Sequence, residues 1–227
     1  MTAAINKTAL TLFAPLADDY GVWSRVLSFG QDPRWRRTMV QKLALAPGAR
    51  VLDVAAGTGE VSRLLRQQGY KVISLDQSPE MLGRAVKAGA IATLARAEDL
   101  PFPDQTFEAL TFTYLLRYVD DPGRCLAGLT RVVRRGGLVA MVEFGRPGGL
   151  WGPLWELYTK FCLPLAGSCI GHGWQEVGAF LGPSITAFHR RFPPDSLARL
   201  WAAAGLVEVS MVRLSLGGGL IMQGRKP

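Results

Sequence analysis

The segment VLDVAAGTGEV, residues 51–61, constrains this chain more than any other. An apolar run short enough to be a strand buried on both faces stops at a row of small residues, Ala55 to Gly59, and helical character follows. A strand that turns through glycines into a helix lets backbone approach a ligand closely, and the start of the helix offers unpaired N–H groups to it. A dinucleotide fingerprint, G-x-G-x-x-G, would need glycine at position 62, where Ser62 stands, so a nicotinamide cofactor is disfavoured.

The rest of the middle of the chain repeats the same alternation. KVISLD, AIATLA, FEALTFTY and GLVAMVEF are strand-like runs separated by helical stretches, and Ser78-Pro79-Glu80-Met81 reads as an N-cap with proline at the first helical position. Alternation of this kind predicts an α/β fold, a parallel sheet with helices on both faces. Asp32-Pro33 followed by RWRRTMVQKLAL predicts a helix capped by Asp32. At the other end, a helix from about Asp195 should stop at Gly205, and VEVSMVRLSL and LIMQGRK, joined through Gly217-Gly218-Gly219, predict an antiparallel terminal pair. The expected organisation is a helical cap over 1–46, a ligand-binding core over 47–147, a helical cover over 148–194 and a completing helix and strand pair over 195–227.

Composition excludes several function classes. With 227 residues, 48% of them hydrophobic, the chain can fill one large core and has no disordered character. Its net charge of +8 is spread in short groups such as Arg34, Arg36 and Arg37, or Arg190 and Arg191, without a basic tail, so no nucleic-acid partner is expected. Cys125, Cys162 and Cys169 are too few for a disulfide framework, which favours a reducing, cytoplasmic location, and the first residues lack a secretory pattern. The apolar stretch 150–170 carries Pro153, Glu156, Lys160 and Pro164 and should not span a bilayer, although peripheral contact with one stays open. His172, His189, Cys162 and Cys169 fit no familiar metal-ligand spacing, so no metal is expected.

An acid within the first strand, Asp53, and a second, Asp76, 23 positions later, complete a nucleoside-binding pattern in which the strand-end carboxylate accepts from ribose hydroxyls. With the glycine loop, these residues resemble the class I S-adenosylmethionine (SAM)-dependent methyltransferases. More narrowly, AEDLPFPDQTFEALTFTYLLRYVDD, RVVRRGGLVAMVEFGRP and FLGPSI are similar to segments of the C-methyltransferases of ubiquinone and menaquinone biosynthesis. The resemblance implies a Rossmann-like, mostly parallel sheet of seven strands with helices on both faces, and a SAM site at Asp53, Ala55, Gly57, Thr58, Gly59, Asp76, Gln77, Met81, Ala97 and Glu98. It also implies a hydrophobic aromatic acceptor, methylated on carbon, with Arg117 promoting ionisation of the acceptor and Tyr20 and His172 as further candidates. Arg117 would either stabilise a phenolate or orient a water, or else pair structurally with Asp120 or Asp121.

The N-terminal signature departs from that family. Tyr20, Ser28 and Trp35 keep its spacing, while Gly21, Trp23, Ser24 and Asp32 replace an Asp, Met, Asn and His. Tyr118 and Met222 replace an Asn and a His, and Arg96, which has only donors, stands where an acceptor for adenine is usual and would stack or face solvent. These changes fall mainly in the acceptor-side cover, so transfer to oxygen or nitrogen of another small molecule, or a non-catalytic SAM-binding subunit, remain alternatives; oligomeric state is not set. The aromatics Trp151, Trp155 and Phe161 either fill the cover or line an apolar slot.

Overall fold

A computed structural model of the chain describes residues 2–171 and 173–227, with residues 2–5 through their backbone alone. The first strand, β1 (Arg50–Val54), leads into α4 (Glu60–Gln67), which follows three N-terminal helices, α1 (Thr2–Phe13), α2 (Tyr20–Leu27) and α3 (Gln31–Leu43). Next come β2 (Lys71–Asp76), α5 (Pro79–Lys87), β3 (Ile91–Leu94), β4 (Phe107–Thr113), α6 (Pro122–Val132) and β5 (Val133–Phe144). The cover is built from α7 (Trp151–Leu157), a π-helical turn (Tyr158–Cys162), α8 (Leu163–Ile170) and α9 (Trp174–Arg191). The chain closes with α10 (Pro194–Ala203), β6 (Val207–Leu214) and β7 (Gly219–Arg225).

The seven strands lie in the order β3-β2-β1-β4-β5-β7-β6. The first five are parallel, and β7 runs antiparallel between β5 and β6. Successive side chains of a strand point to opposite faces, and the sequence uses both. Leu52, Val54, Leu110 and Phe112 pack with Leu126 and Trp201 on one side, while Val51, Ala109 and Ala140 pack with Met39 and Leu65 on the other. The near-continuous apolar runs of β1 and β4 follow from this double burial.

Ser78 caps α5 as its sequence suggests, its Oγ accepting from the Met81 N–H at 3.3 Å. Asp121 caps α6, accepting from the N–H groups of Gly123 and Arg124. Gly205, at φ +85°, follows the end of α10. Asp32 does not cap α3: the helix starts at Gln31 behind Gly30, which takes φ +73°, and the Asp32 side chain is buried. Its carboxylate is turned inward because Arg36 one turn on and Tyr114, just past the end of β4, both donate to it.

Candidate active site

The strand order reverses direction between β1 and β4, and in open α/β sheets ligands bind at that switch, beyond the carboxyl ends of the strands. A cavity of about 530 Å³ sits there, walled by the loops after β1, β2 and β4 and roofed by α1, α2 and the cover helices. Ala55, Gly57, Thr58, Asp76, Gln77 and Met81 line it on the sheet side. Tyr20 and Arg117 line it from the opposite wall, so the structure gathers eight of the expected site residues around one space.

Asp76 ties the sheet side of the cavity together. One of its oxygens accepts from the Gly57 N–H at 2.7 Å and the other from the Ser78 N–H at 2.9 Å, so the glycine loop and the β2–α5 turn share one carboxylate. Burial pushes its pKa up, while the backbone N–H donors pull it down. Each carboxylate oxygen has a second lone pair, which leaves capacity for hydroxyl donors from a ligand. Gly57 has φ +55° and a Cβ built there would meet nothing within 4 Å, so the loop leaves open room at the cavity floor. That room beside an acceptor-rich strand end fits the nucleoside of SAM.

Asp53, Gly59, Ala97 and Glu98 stand outside the cavity wall. Asp53 lies beneath the loop, 1% exposed, accepting from Ser62 Oγ at 2.6 Å and Thr111 Oγ1 at 2.9 Å. Burial raises its pKa to about 6 against the opposing effect of those two hydroxyls. Ser62, which broke the dinucleotide fingerprint, also meets Ser74 Oγ at 2.6 Å and so links β1, β2 and α4. Gly59, at φ +85°, allows α4 to lie against α5: an added Cβ would come 2.9 Å from the Ala85 Cβ. Ala97 is buried in the core, and Glu98 is ion-paired at 3.1 Å with Arg96, which is exposed. His172 lies outside the described residues.

The wall facing the glycine loop is built around Arg117. Its Nε lies 2.8 Å from Glu143 Oε1 at the end of β5, each side chain only 1% exposed, and one Nη donates to Ser184 Oγ at 3.1 Å. The guanidinium also sits over the rings of Tyr118 and Phe144, 4.8 and 5.3 Å from their centroids. Its partner is therefore Glu143, with Asp121 committed to its helix cap. Burial works against the charge of Arg117, but Glu143 and the surrounding tyrosines outweigh it and hold the pKa above the ordinary value. Burial likewise raises the hydroxyl of Tyr20, and pushes that of Tyr118 up to about 12, so both remain O–H donors near neutral pH.

Sequence reasoning assigned no part in this wall to Glu143, Ser184, Asp32 or Arg36. The FLGPSI motif explains itself here. Phe180 stacks on Tyr118 with centroids 6.0 Å apart, Gly182 brings α9 onto Thr159 of the π-helical turn, Ser184 takes the Arg117 hydrogen bond, and Ile185 lines the cavity. Trp151 and Trp155 line the cavity as well, whereas Phe161 is 64% exposed and does not. Among the described residues no group of three or more metal-ligating side chains comes together, and no helix is long and apolar enough to cross a membrane.

A seven-stranded sheet of this order, with a ligand space over the β1–β4 switch, places the chain among the SAM-dependent methyltransferases. More particularly, it belongs to the ubiE/COQ5 methyltransferase family, whose sequence profile matches residues 1–226. It is 36% identical to a demethylmenaquinone methyltransferase of Renibacterium salmoninarum over 92% of this chain and 87% of that one. It is 35% identical to the ubiquinone/menaquinone biosynthesis C-methyltransferase UbiE of Desulfotalea psychrophila, over 91% and 85%. Among solved structures, a SAM-dependent methyltransferase of Thermotoga maritima superposes with a TM-score of 0.68 at 20% identity, over 96% of this chain and 99% of that one, a likeness of fold.

Proposed function

We propose that this enzyme transfers the methyl group of SAM to a ring carbon of a quinol-like aromatic acceptor bearing an apolar tail. The observation that carries the reading is Arg117, a buried cation on the wall of an otherwise largely aromatic and aliphatic cavity. Bound in the strand-end half of the cavity, SAM supplies an electrophilic methyl carbon. Gly57 and Thr58 would take its polar end against the loop, and Asp76, Gln77 and Met81 its nucleoside.

A quinol carbon becomes nucleophilic as a phenolic proton is lost or shared. Arginine stays protonated and is a poor base, so Arg117 acts by stabilising the phenolate as it forms, in a setting whose low dielectric strengthens that interaction. The hydroxyls of Tyr20 and Tyr118 add neutral donors; the phenolic proton passes to water, and as the ring recovers its aromaticity the hydrogen on the methylated carbon returns through water to the phenolate oxygen, so that one proton is released in all. Rings such as Trp155, Tyr158 and Trp174 would hold the acceptor flat and exclude bulk water. An acceptor of this kind is dissolved in membranes, so the reading includes a peripheral encounter with a bilayer.

The test is transfer of an isotope-labelled methyl group from SAM to a short-tail demethyl quinol. A product methylated on ring carbon supports the reading. An ether or an amine product would move the acceptor atom elsewhere.

A further inference from the structure

Amphipathic helices of soluble domains turn their apolar stripe inward. From Trp151 to Ile170, α7, the π-helical turn and α8 run without a break, and here the stripe also faces outward. Leu150, Leu154, Leu157, Phe161 and Leu165, spaced three and four residues apart, are 91%, 56%, 52%, 64% and 69% exposed. The opposite side, with Thr159, Leu163 and Gly167, is buried, with Gly167 closely apposed to the start of α9. The helix thus has two apolar faces, one of which nothing in the described chain covers.

This outer face is continuous with the cavity. Trp151 and Leu154 line the cavity while remaining 47% and 56% exposed, and Phe29 and Leu216 do the same at 77% and 64%. Apolar surface therefore leads from outside the molecule into the acceptor space. Residues 20–30 and 144–171 carry Arg25, Arg146 and Lys160 against a single carboxylate, Glu156, in a chain of net charge +8. An exposed apolar stripe with basic residues beside it is the arrangement of a helix that lies in the headgroup region of an anionic bilayer.

We infer that the outer face of α7–α8, with Phe29 of the α2–α3 turn, docks on an anionic lipid bilayer and opens the acceptor cavity toward it. The choice of a bilayer over a protein rests on the proposed acceptor: a protein on this face would seal the opening through which a membrane-dissolved quinol has to enter.

The test is co-flotation with phosphatidylcholine vesicles with and without phosphatidylglycerol, comparing the unaltered enzyme with Leu157→Glu/Phe161→Glu, neither residue lining the cavity. The enzyme should bind the anionic vesicles and be released by salt, and the double variant should bind at least tenfold more weakly with an unchanged melting temperature. Methylation of a short-tail, water-soluble quinol should be equal in both proteins, while turnover of a long-tail quinol in vesicles falls in the variant. Failure of the unaltered enzyme to bind vesicles, or equal binding by the variant, overturns the inference. So does sedimentation velocity showing that the substitutions abolish self-association instead, which would make the face a contact between copies. Vesicle binding without methylation of any quinol by either protein would overturn the proposed acceptor and leave the docking face standing.

Discussion

Glu143 Oε1 lies 2.8 Å from Arg117 Nε, and both side chains are sealed from solvent where β5 meets the cavity wall that faces the glycine loop. The pair separates two roles that a single substitution would confound. Removing one partner of a buried ion pair leaves an uncompensated charge and costs about 3–5 kcal/mol, whereas replacing both by apolar groups of similar volume is often neutral. Glu143→Ala should therefore lower stability by about that amount. Arg117→Met/Glu143→Leu should recover most of the melting temperature without recovering methyl transfer. Recovery of activity along with stability would confine Arg117 to a structural role.

Asp76→Ala removes the acceptor shared by Gly57 and Ser78 as well as that offered to a ribose. SAM affinity should fall by about 1.5–3 kcal/mol, the usual worth of hydrogen bonds to a charged group, while Ser78 continues to cap α5 through its own hydroxyl. Titration calorimetry on the folded variant is the check, and undiminished affinity would remove Asp76 from the cofactor site.

The two glycines of the loop should respond differently. Gly57→Ala places a methyl group in open space at a positive φ, so it should cost only about 1–2 kcal/mol of stability yet weaken SAM binding. Gly59→Ala carries the same backbone penalty and in addition forces its Cβ to 2.9 Å from that of Ala85. Its melting temperature should fall further. Equal melting temperatures for the two variants would contradict the packing assigned to Gly59.

Asp53 makes a pH prediction. Its folded-state pKa, about 6, exceeds the ordinary 3.8, so the folded protein holds the proton more tightly than the unfolded chain. The resulting stability is fully present below pH 4 and is lost as pH rises to about 6, a change of about 3 kcal/mol for a shift of this size. Denaturation curves of the unaltered protein and Asp53→Asn, measured from pH 4 to 7, should diverge by that amount in that direction. A difference that does not vary with pH would show Asp53 to titrate normally.

The sheet side of the site was legible because its signals are local. A buried strand, small residues and a capped helix follow one another within the loop at 51–61 and again at 71–81, and no distant partner is needed to read them. The facing wall was less so. Asp32 before a proline looks like a cap, and only the fold brings Tyr114, 82 positions away, to its carboxylate. Glu143 ends an apolar run like any strand-end acid, and its pairing with Arg117 depends on β4 and β5 being neighbours. The terminal strands read as a hairpin, but which of them would pair with β5 is decided by the sheet edge. The aromatic segment 151–161 read equally as core or slot, since periodicity tells that one face is apolar without telling that the other is exposed.

Labelled transfer tests the central claim most directly. The enzyme is incubated with SAM carrying a carbon-13 methyl group and a short-tail demethyl quinol, and the product is examined by carbon NMR. The expected result is a labelled methyl group bonded to a ring carbon, with its formation abolished in Arg117→Met/Glu143→Leu. A methoxy or N-methyl signal, or no transfer to any quinol by a protein that binds SAM, would contradict it.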